Sequence, residues 1–190
     1  MKLINIKSKS SIQNAAVVLK NSGIVIFPTD TVYGIGCILD EKAIKKLYQI
    51  KNRPLTQPTA VLISDTLYHK IRSSVKCGIA DKIFKQHPKG KVTVIMRAEY
   101  FKIKFPKILL EDNKVGVRLP QYPWMIELIN QVGPIVASSA NKKGERPPKK
   151  FSEISQQIIK KADLTVETEE ILSGKPSAVY DLEKDTFVRE

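Results

Sequence analysis

Four short stretches of the 190-residue chain gather the side chains that chemistry needs: Pro28-Thr29-Asp30-Thr31, Lys51-Asn52-Arg53-Pro54, Val117-Arg118-Leu119-Pro120 and Ser138-Ser139-Ala140-Asn141. Each follows or sits in an apolar segment that reads as a strand or a helix, and the ends of strands are where α/β proteins place ligands. In the first, hydroxyls and a carboxylate can hold an amino acid's ammonium and hydroxyl, or simply make a turn or a helix cap. In the second, Lys51 and Arg53 are alternate residues of an extended segment, so both cations can converge on one polyphosphate. Cations just beyond a helix also complement its dipole, which is the plainer role. In the third, Arg118 lies in an apolar strand and needs a partner, because an unpaired buried charge is costly. That partner is either a substrate carboxylate or an internal acid. In the fourth, the hydroxyl of Ser139 and the amide of Asn141 suit phosphate oxygens or a nucleotide sugar, although Ser and Asn are also ordinary loop formers.

The elements that must position these groups alternate. Ser11 to Lys20 carries Ile12, Ala15, Ala16 and Leu19 at helical spacing, Gly23 closes it, and Ile24 to Phe27 follows as a strand. Asp40 can cap a helix from Glu41 to Ile50 that leads to a strand over Ala60 to Ser64. Val92 to Met96 and Val115 to Leu119 read as strands; Pro123 opens a helix that Gly133 ends before a strand at Ile135 to Ala137. A weaker helix over Ser152 to Lys161 and strands at Ala178 to Asp181 and Thr186 to Val188 complete an α/β pattern without internal repeats. The Lys142 to Lys150 segment, rich in Lys, Pro and Gly, is a lid or an ordinary surface loop.

Composition narrows the classes. Thirty-two Lys and Arg residues against 19 Asp and Glu give a net charge of +13, a field that attracts phosphates, nucleic acid or anionic membranes unless it is only a solvated lysine-rich surface. Cys37 and Cys77 form no CxxC pair, so neither a disulfide framework nor a zinc site is indicated, and a reducing cytoplasm is the expected location. No apolar run approaches the ~20 residues that span a bilayer, and the N-terminus lacks the pattern of a secretion signal. Gly90-Lys91 lacks the rest of a P-loop, GxSxG and HExxH are absent, and His69 and His87 read as surface residues, so no protein-held metal is expected.

Taken in order, six marks resemble the YrdC/TsaC family of threonylcarbamoyl-AMP synthases. They are Phe27 to Gly34 (FPTDTVYG), Lys51-x-Arg53-Pro54, Val92-Thr93-Val94, Gly116-Val117-Arg118-x-Pro120, Ser138-Ser139-Ala140-Asn141 and Pro176 to Asp181 (PSAVYD). The resemblance implies one YrdC-like domain over residues 1–190, a twisted mixed sheet flanked by helices with a basic concave site. It implies that Lys51, Arg53, Ser139 and Asn141 bind ATP phosphates, with Lys51 and Arg53 stabilising charge in the reaction and Arg189 adding a nucleotide contact. Thr31, Arg118 and Ser177 match threonine positions. The implied substrates are L-threonine, bicarbonate and ATP carrying Mg²⁺; the implied partners are tRNA or double-stranded RNA and a downstream threonylcarbamoyl transferase complex. The chain departs from the family at His87 to Lys91, where Trp-Pro-Gly-Pro is common, and at Leu62, Tyr122 and Ala178, and it lacks the usual Arg-Pro-Gly after Arg189. Two alternatives stand beside this: a paralogue with another carbamoyl substrate, and an RNA-binding module using Lys142, Lys143, Arg146, Lys149 and Lys150.

Overall fold

The computed structural model describes residues 2–88, 90–142 and 144–189, so Lys143 of the basic loop lies outside the described residues. Among the described residues ten strands join in one mixed sheet: β1 (Lys2–Asn5), β2 (Val25–Phe27), β3 (Gly34–Ile38), β4 (Ala60–Leu62), β5 (Val92–Arg97), β6 (Lys114–Arg118), β7 (Ile135–Ser139), β8 (Leu164–Glu167), β9 (Ala178–Asp181) and β10 (Thr186–Arg189). Their spatial order is β1-β8-β2-β3-β7-β4-β6-β5-β9-β10. Parallel pairs (β1 with β8, β4 with β6, β5 with β9) are mixed with antiparallel ones (β2 with β3, β3 with β7, β5 with β6).

The helices are α1 (Ser11–Lys20), α2 (Glu41–Lys51), α3 (Asp65–Ile71), α4 (Cys77–Gln86), α5 (Pro123–Val132) and the single turn α6 (Gln156–Ile159). Asp40 caps α2, its carboxylate accepting from the Lys42 N–H at 3.1 Å, and Asn52 ends it in the left-handed region at φ 51°. Pro123 occupies the first turn of α5, and Gly133 ends it at φ 88°.

Strand alternation divides the interior. One face sends Ile35, Cys37, Val61, Val94, Met96, Val117 and Val136 into a core shared with Ala43, Ile44 and Leu47 of α2 and Tyr68 of α3. The opposite face is covered only in part: α1 and α5 pack Ala15, Ala16, Leu19, Trp124, Met125, Leu128 and Ile129 against Val25, Phe27, Ile135, Leu164 and Val166. The rest of that face stays open, and there the strands present Gly34, Ala60, Gly116, Ala137, Thr93 and Ser139. Small residues on one face of buried strands leave room above the sheet.

The sequence expectation of alternating α/β elements holds, with corrections. Ser152 to Lys161 is not one helix: a 3-10 turn at Phe151–Glu153 and α6 are separated by Ile154 and Ser155, whose ψ of 127° and 129° are not helical. Strands β1, β3 and β8 and helices α3 and α4 were not expected; β3 reads as a loop because Gly34 and Gly36 interrupt it. Among the described residues no helix is long and apolar enough to cross a membrane.

Candidate functional site

The open half of the sheet forms the floor of a cleft of about 590 Å³. Registers place its residues side by side: Thr93 lies opposite Arg118, Arg118 opposite Leu62, and Gly34 opposite Ser139. A smaller cavity of about 100 Å³, lined by Lys51, Arg53, Gln57, Ser138, Ser139, Asn141 and Lys142, shares Arg53, Ser138 and Ser139 with the larger one. The four stretches singled out in the sequence therefore meet at one place.

At the smaller end, the Lys51 ammonium leaves the last turn of α2 and donates to the main-chain carbonyls of Ser139 and of Asn141, the latter at 2.8 Å. Lys51 is buried, and burial pulls its ammonium down to about 8; the neighbouring Arg53 charge adds to this and Glu145 opposes it. Arg53 follows the left-handed turn at Asn52, stacks over Tyr48 at 5.7 Å, and donates from Nε to the Gln57 carbonyl (2.7 Å) and from Nη2 to the Pro58 carbonyl (2.6 Å). The dipole-complementing role is thus too small for Lys51, which reaches across the chain to fix the segment after β7.

Asn141 donates from Nδ2 to the carbonyls of Lys142 (3.0 Å) and Glu145 (2.7 Å). Its buried Oδ1 has no hydrogen-bond partner among the described residues. Buried acceptors are rarely left so, and a ligand N–H or O–H would satisfy this one. The Lys142 to Lys150 loop is tied down where it is described: the Lys142 N–H meets the Glu145 carboxylate at 2.9 Å, the Pro148 carbonyl accepts from Tyr33 at 2.8 Å and that of Lys149 from Leu172 at 3.0 Å.

At the larger end, Arg118 is buried against Asp30: Nη2 donates to Asp30 Oδ2 at 3.3 Å and Nε to the Gly90 carbonyl at 2.7 Å. The internal acid anticipated from sequence is thus Asp30, and Arg118 still lines the cleft. Burial lowers its affinity for the proton while Asp30 opposes that shift. Thr31, fully packed, faces Thr29 hydroxyl to hydroxyl at 3.1 Å, and its carbonyl accepts from Gly174 N–H (2.9 Å) and Ser173 Oγ (3.1 Å). Ser177 pairs with Thr93 at 2.9 Å, oxygen to oxygen, and its carbonyl accepts from Arg189 Nε (3.2 Å) and Nη2 (2.7 Å). Arg189 lines the same cleft, and its charge is one reason the Arg118 proton is held less firmly.

Thr93, which stands in one of the six marks, and Gly90, whose carbonyl holds Arg118, carry no site role in the sequence reading; both line or brace the Arg118 end of the site. Leu62 forms part of the floor, and Tyr122 donates to the Glu170 carboxylate at 2.9 Å; burial, and after it this hydrogen bond, pushes its phenol up. His69 is exposed as expected, whereas His87 is half-buried with its ring 4.9 Å from that of Phe187. Among the described residues no group of three or more His, Cys, Asp and Glu side chains is arranged to hold a metal. Both cysteines are buried thiols.

The family described as Telomere recombination, the Sua5/YciO/YrdC group, matches residues 17–190. A Methanocaldococcus jannaschii protein is 32% identical over 169 residues, covering 88% of this chain and 78% of that protein. The threonylcarbamoyl-AMP synthase of Bacillus subtilis is 31% identical over 149 residues, covering 77% of this chain but 43% of its own length. The crystal structure of Pyrococcus abyssi Sua5 complexed with L-threonine superposes with a TM-score of 0.84 at 27% identity, over 96% of this chain and 55% of that one. The chain thus spans about half or less of the Bacillus and Pyrococcus proteins. The mixed sheet, the six marks gathered at one cleft and these similarities agree: the chain belongs to the Sua5/YciO/YrdC family.

Proposed function

We propose that this chain is a threonylcarbamoyl-AMP synthase, forming L-threonylcarbamoyladenylate and pyrophosphate from L-threonine, bicarbonate or CO₂, and ATP. One observation carries it: a polyphosphate-type group of cations, Lys51 and Arg53, and an amino-acid-type group, Arg118 with the Thr31 and Ser177 hydroxyls, stand around two adjoining cavities that share Arg53, Ser138 and Ser139. The relatives named threonylcarbamoyl-AMP synthase and the L-threonine complex of the Pyrococcus protein support the substrate.

In this account Arg118 takes the threonine carboxylate by charge-assisted hydrogen bonds, while Thr31 and Ser177 meet the amine or hydroxyl. Lys51, Arg53 and Ser139 bind the ATP phosphates, while Asn141, whose Nδ2 hydrogens are both engaged by carbonyls, meets the nucleotide by accepting from a sugar hydroxyl at Oδ1, and Arg189 adds a contact from β10. The threonine amine adds to CO₂ and loses a proton, giving an N-carboxylate. A carboxylate oxygen then attacks the α-phosphorus, and the bond from that phosphorus to the bridging oxygen breaks as pyrophosphate leaves. Lys51 and Arg53 stabilise the charge that gathers on the phosphoryl oxygens and leaving group, which needs no protein nucleophile. Mg²⁺ accompanies ATP on its phosphates.

The remaining parts of the proposal are that residues 1–190 act as a single domain in the cytoplasm and that the product passes to a threonylcarbamoyl transferase complex acting on tRNA. The +13 charge and the exposed Arg146, Lys149 and Lys150 beside the cleft favour RNA contact as a second property of the same protein. Pyrophosphate release with ATP and Mg²⁺, with and without L-threonine and bicarbonate and with serine as a control, tests the proposal. Release that needs both threonine and bicarbonate supports it. Release with another amine in place of threonine points to the divergent paralogue, and no release with salt-sensitive RNA binding points to the binding module.

A further inference from the structure

Arg118 is the only cation proposed for the substrate carboxylate, and how it is held decides whether it can serve. A guanidinium has five N–H donors in a fixed fork. Nε is engaged by the Gly90 carbonyl at 2.7 Å and one Nη2 hydrogen by Asp30 Oδ2 at 3.3 Å. The other carboxylate oxygen, Asp30 Oδ1, accepts from the Gln121 N–H at 3.0 Å, just beyond the end of β6. The two side chains of the pair are 9% and 10% exposed.

Gly90 closes this cradle from the third side. It sits at φ 74°, and a Cβ there would come within 2.6 Å of the Asp30 carboxyl carbon. Glycine is therefore what lets the main chain present its carbonyl to Arg118 while lying against the acid. Arg118 lines the cleft and Asp30 does not. Both Asp30 oxygens are already engaged, Oδ2 by Arg118 and Oδ1 by the Gln121 N–H, which suits a role in holding Arg118 rather than substrate.

We infer that Asp30 is a positioning residue: from behind the cleft wall, and together with Gly90, it locks the Arg118 fork so that its remaining N–H groups face a substrate carboxylate. This rests on the assignment of Arg118 to the threonine carboxylate in the proposed function. Its effect falls on one substrate and not the other, since the phosphate-binding Lys51 and Arg53 make none of their hydrogen bonds with this cradle.

The test is Asp30→Asn, which keeps the shape and one acceptor oxygen but removes the charge. Two readouts are taken: the KM values for threonine and ATP in pyrophosphate release, and the hydrogen exchange of the Arg118 Nε–H resonance in ¹⁵N-labelled protein, assigned by its loss in Arg118→Lys. The expected result is a threonine KM raised about tenfold, an ATP KM within about twofold, and faster exchange at Arg118 Nε in a chain that still melts cooperatively. An unchanged threonine KM, or threonine and ATP KM rising together, overturns the inference. If Asp30→Asn does not fold, Gly90→Ala, which pushes a methyl against the same carboxyl, is read the same way. If the unsubstituted chain shows no threonine-dependent turnover, the substrate assignment falls. The Arg118 resonance then decides positioning alone: faster exchange in Asp30→Asn sustains it and equal exchange overturns it.

Discussion

Lys51 and Asn141 lie ninety positions apart, yet the Lys51 ammonium donates to the Asn141 main-chain carbonyl at 2.8 Å and to that of Ser139 beside it. The end of α2 is thereby pinned to the segment leaving β7, and the two halves of the proposed phosphate site hold each other in place. A lysine engaged by carbonyls in this way is both a structural tie and a charge close to the cleft.

The buried position of Lys51 makes its charge dependent on pH. Its ammonium sits at about 8 in the folded chain against an ordinary 10.5. Below about pH 8 the amine is charged in both folded and unfolded chains, so burying it costs stability; between about 8 and 10.5 only the unfolded chain keeps the proton, and stability rises with pH. Phosphate binding runs the other way because it needs the cation. ATP affinity measured by calorimetry is expected to fall as pH climbs through about 8 in the parent protein and to stay level in Lys51→Arg, whose guanidinium stays protonated. A parent affinity that is flat across that range contradicts a role for the Lys51 charge.

Among the described residues Arg53 donates to carbonyls of its own loop, at Gln57 and Pro58, and stacks over Tyr48, so removing it disturbs little beyond that turn and the end of α2. Arg53→Ala is expected to lower adenylate formation by about 10²–10³. Its melting temperature should fall by no more than roughly 2–4 °C, the shift that about 1 kcal/mol produces in a chain of this size. Near-parental turnover would remove Arg53 from the phosphate site.

Arg118→Ala leaves the Asp30 carboxylate buried without its ion-pair partner. A loss of about 3–5 kcal/mol in urea unfolding is expected. The double variant Asp30→Asn with Arg118→Met removes both charges and should recover most of that stability without recovering threonine binding. Recovery of both would assign Arg118 to folding alone.

The Thr93 and Ser177 hydroxyls, 2.9 Å apart and both buried, form a pair that either single substitution breaks. Thr93→Val and Ser177→Ala should each cost about 1 kcal/mol of stability and raise the threonine KM about fivefold. The double variant should cost less than the sum of the two, because both remove one interaction. Strict additivity would mean that Thr93 does not act through Ser177.

Much of this site was legible in the sequence because its residues stand at punctuation points: Lys51 and Arg53 around the left-handed Asn52 that ends α2, Ser139 and Asn141 at the end of β7, Arg118 at the end of β6. What was hidden is what long-range pairing creates. Asp30, an ordinary turn residue by its neighbours, is the Arg118 partner 88 positions away. Gly90 sits in the segment that departs from the family, where its local sequence says nothing of the carbonyl that Arg118 uses. Strand β3 escaped notice because Gly34 and Gly36 weaken strand propensity. Gly34 also keeps the cleft floor low: a Cβ there would meet Phe27 at 2.8 Å and Thr29 at 3.3 Å. The residues that obscured the strand help to make the site.

The central claim is the chemistry of the product, and mass spectrometry of the reaction mixture tests it most directly. Protein incubated with ATP, Mg²⁺, L-threonine and ¹³C-bicarbonate is quenched at early times and examined for an adenylate that carries both threonine and the labelled carbon. The account predicts that adduct, heavier by one ¹³C increment than with unlabelled bicarbonate and lowered by about 10²–10³ for Arg53→Ala. Pyrophosphate and AMP without any labelled threonine adenylate, at any time sampled, would contradict it.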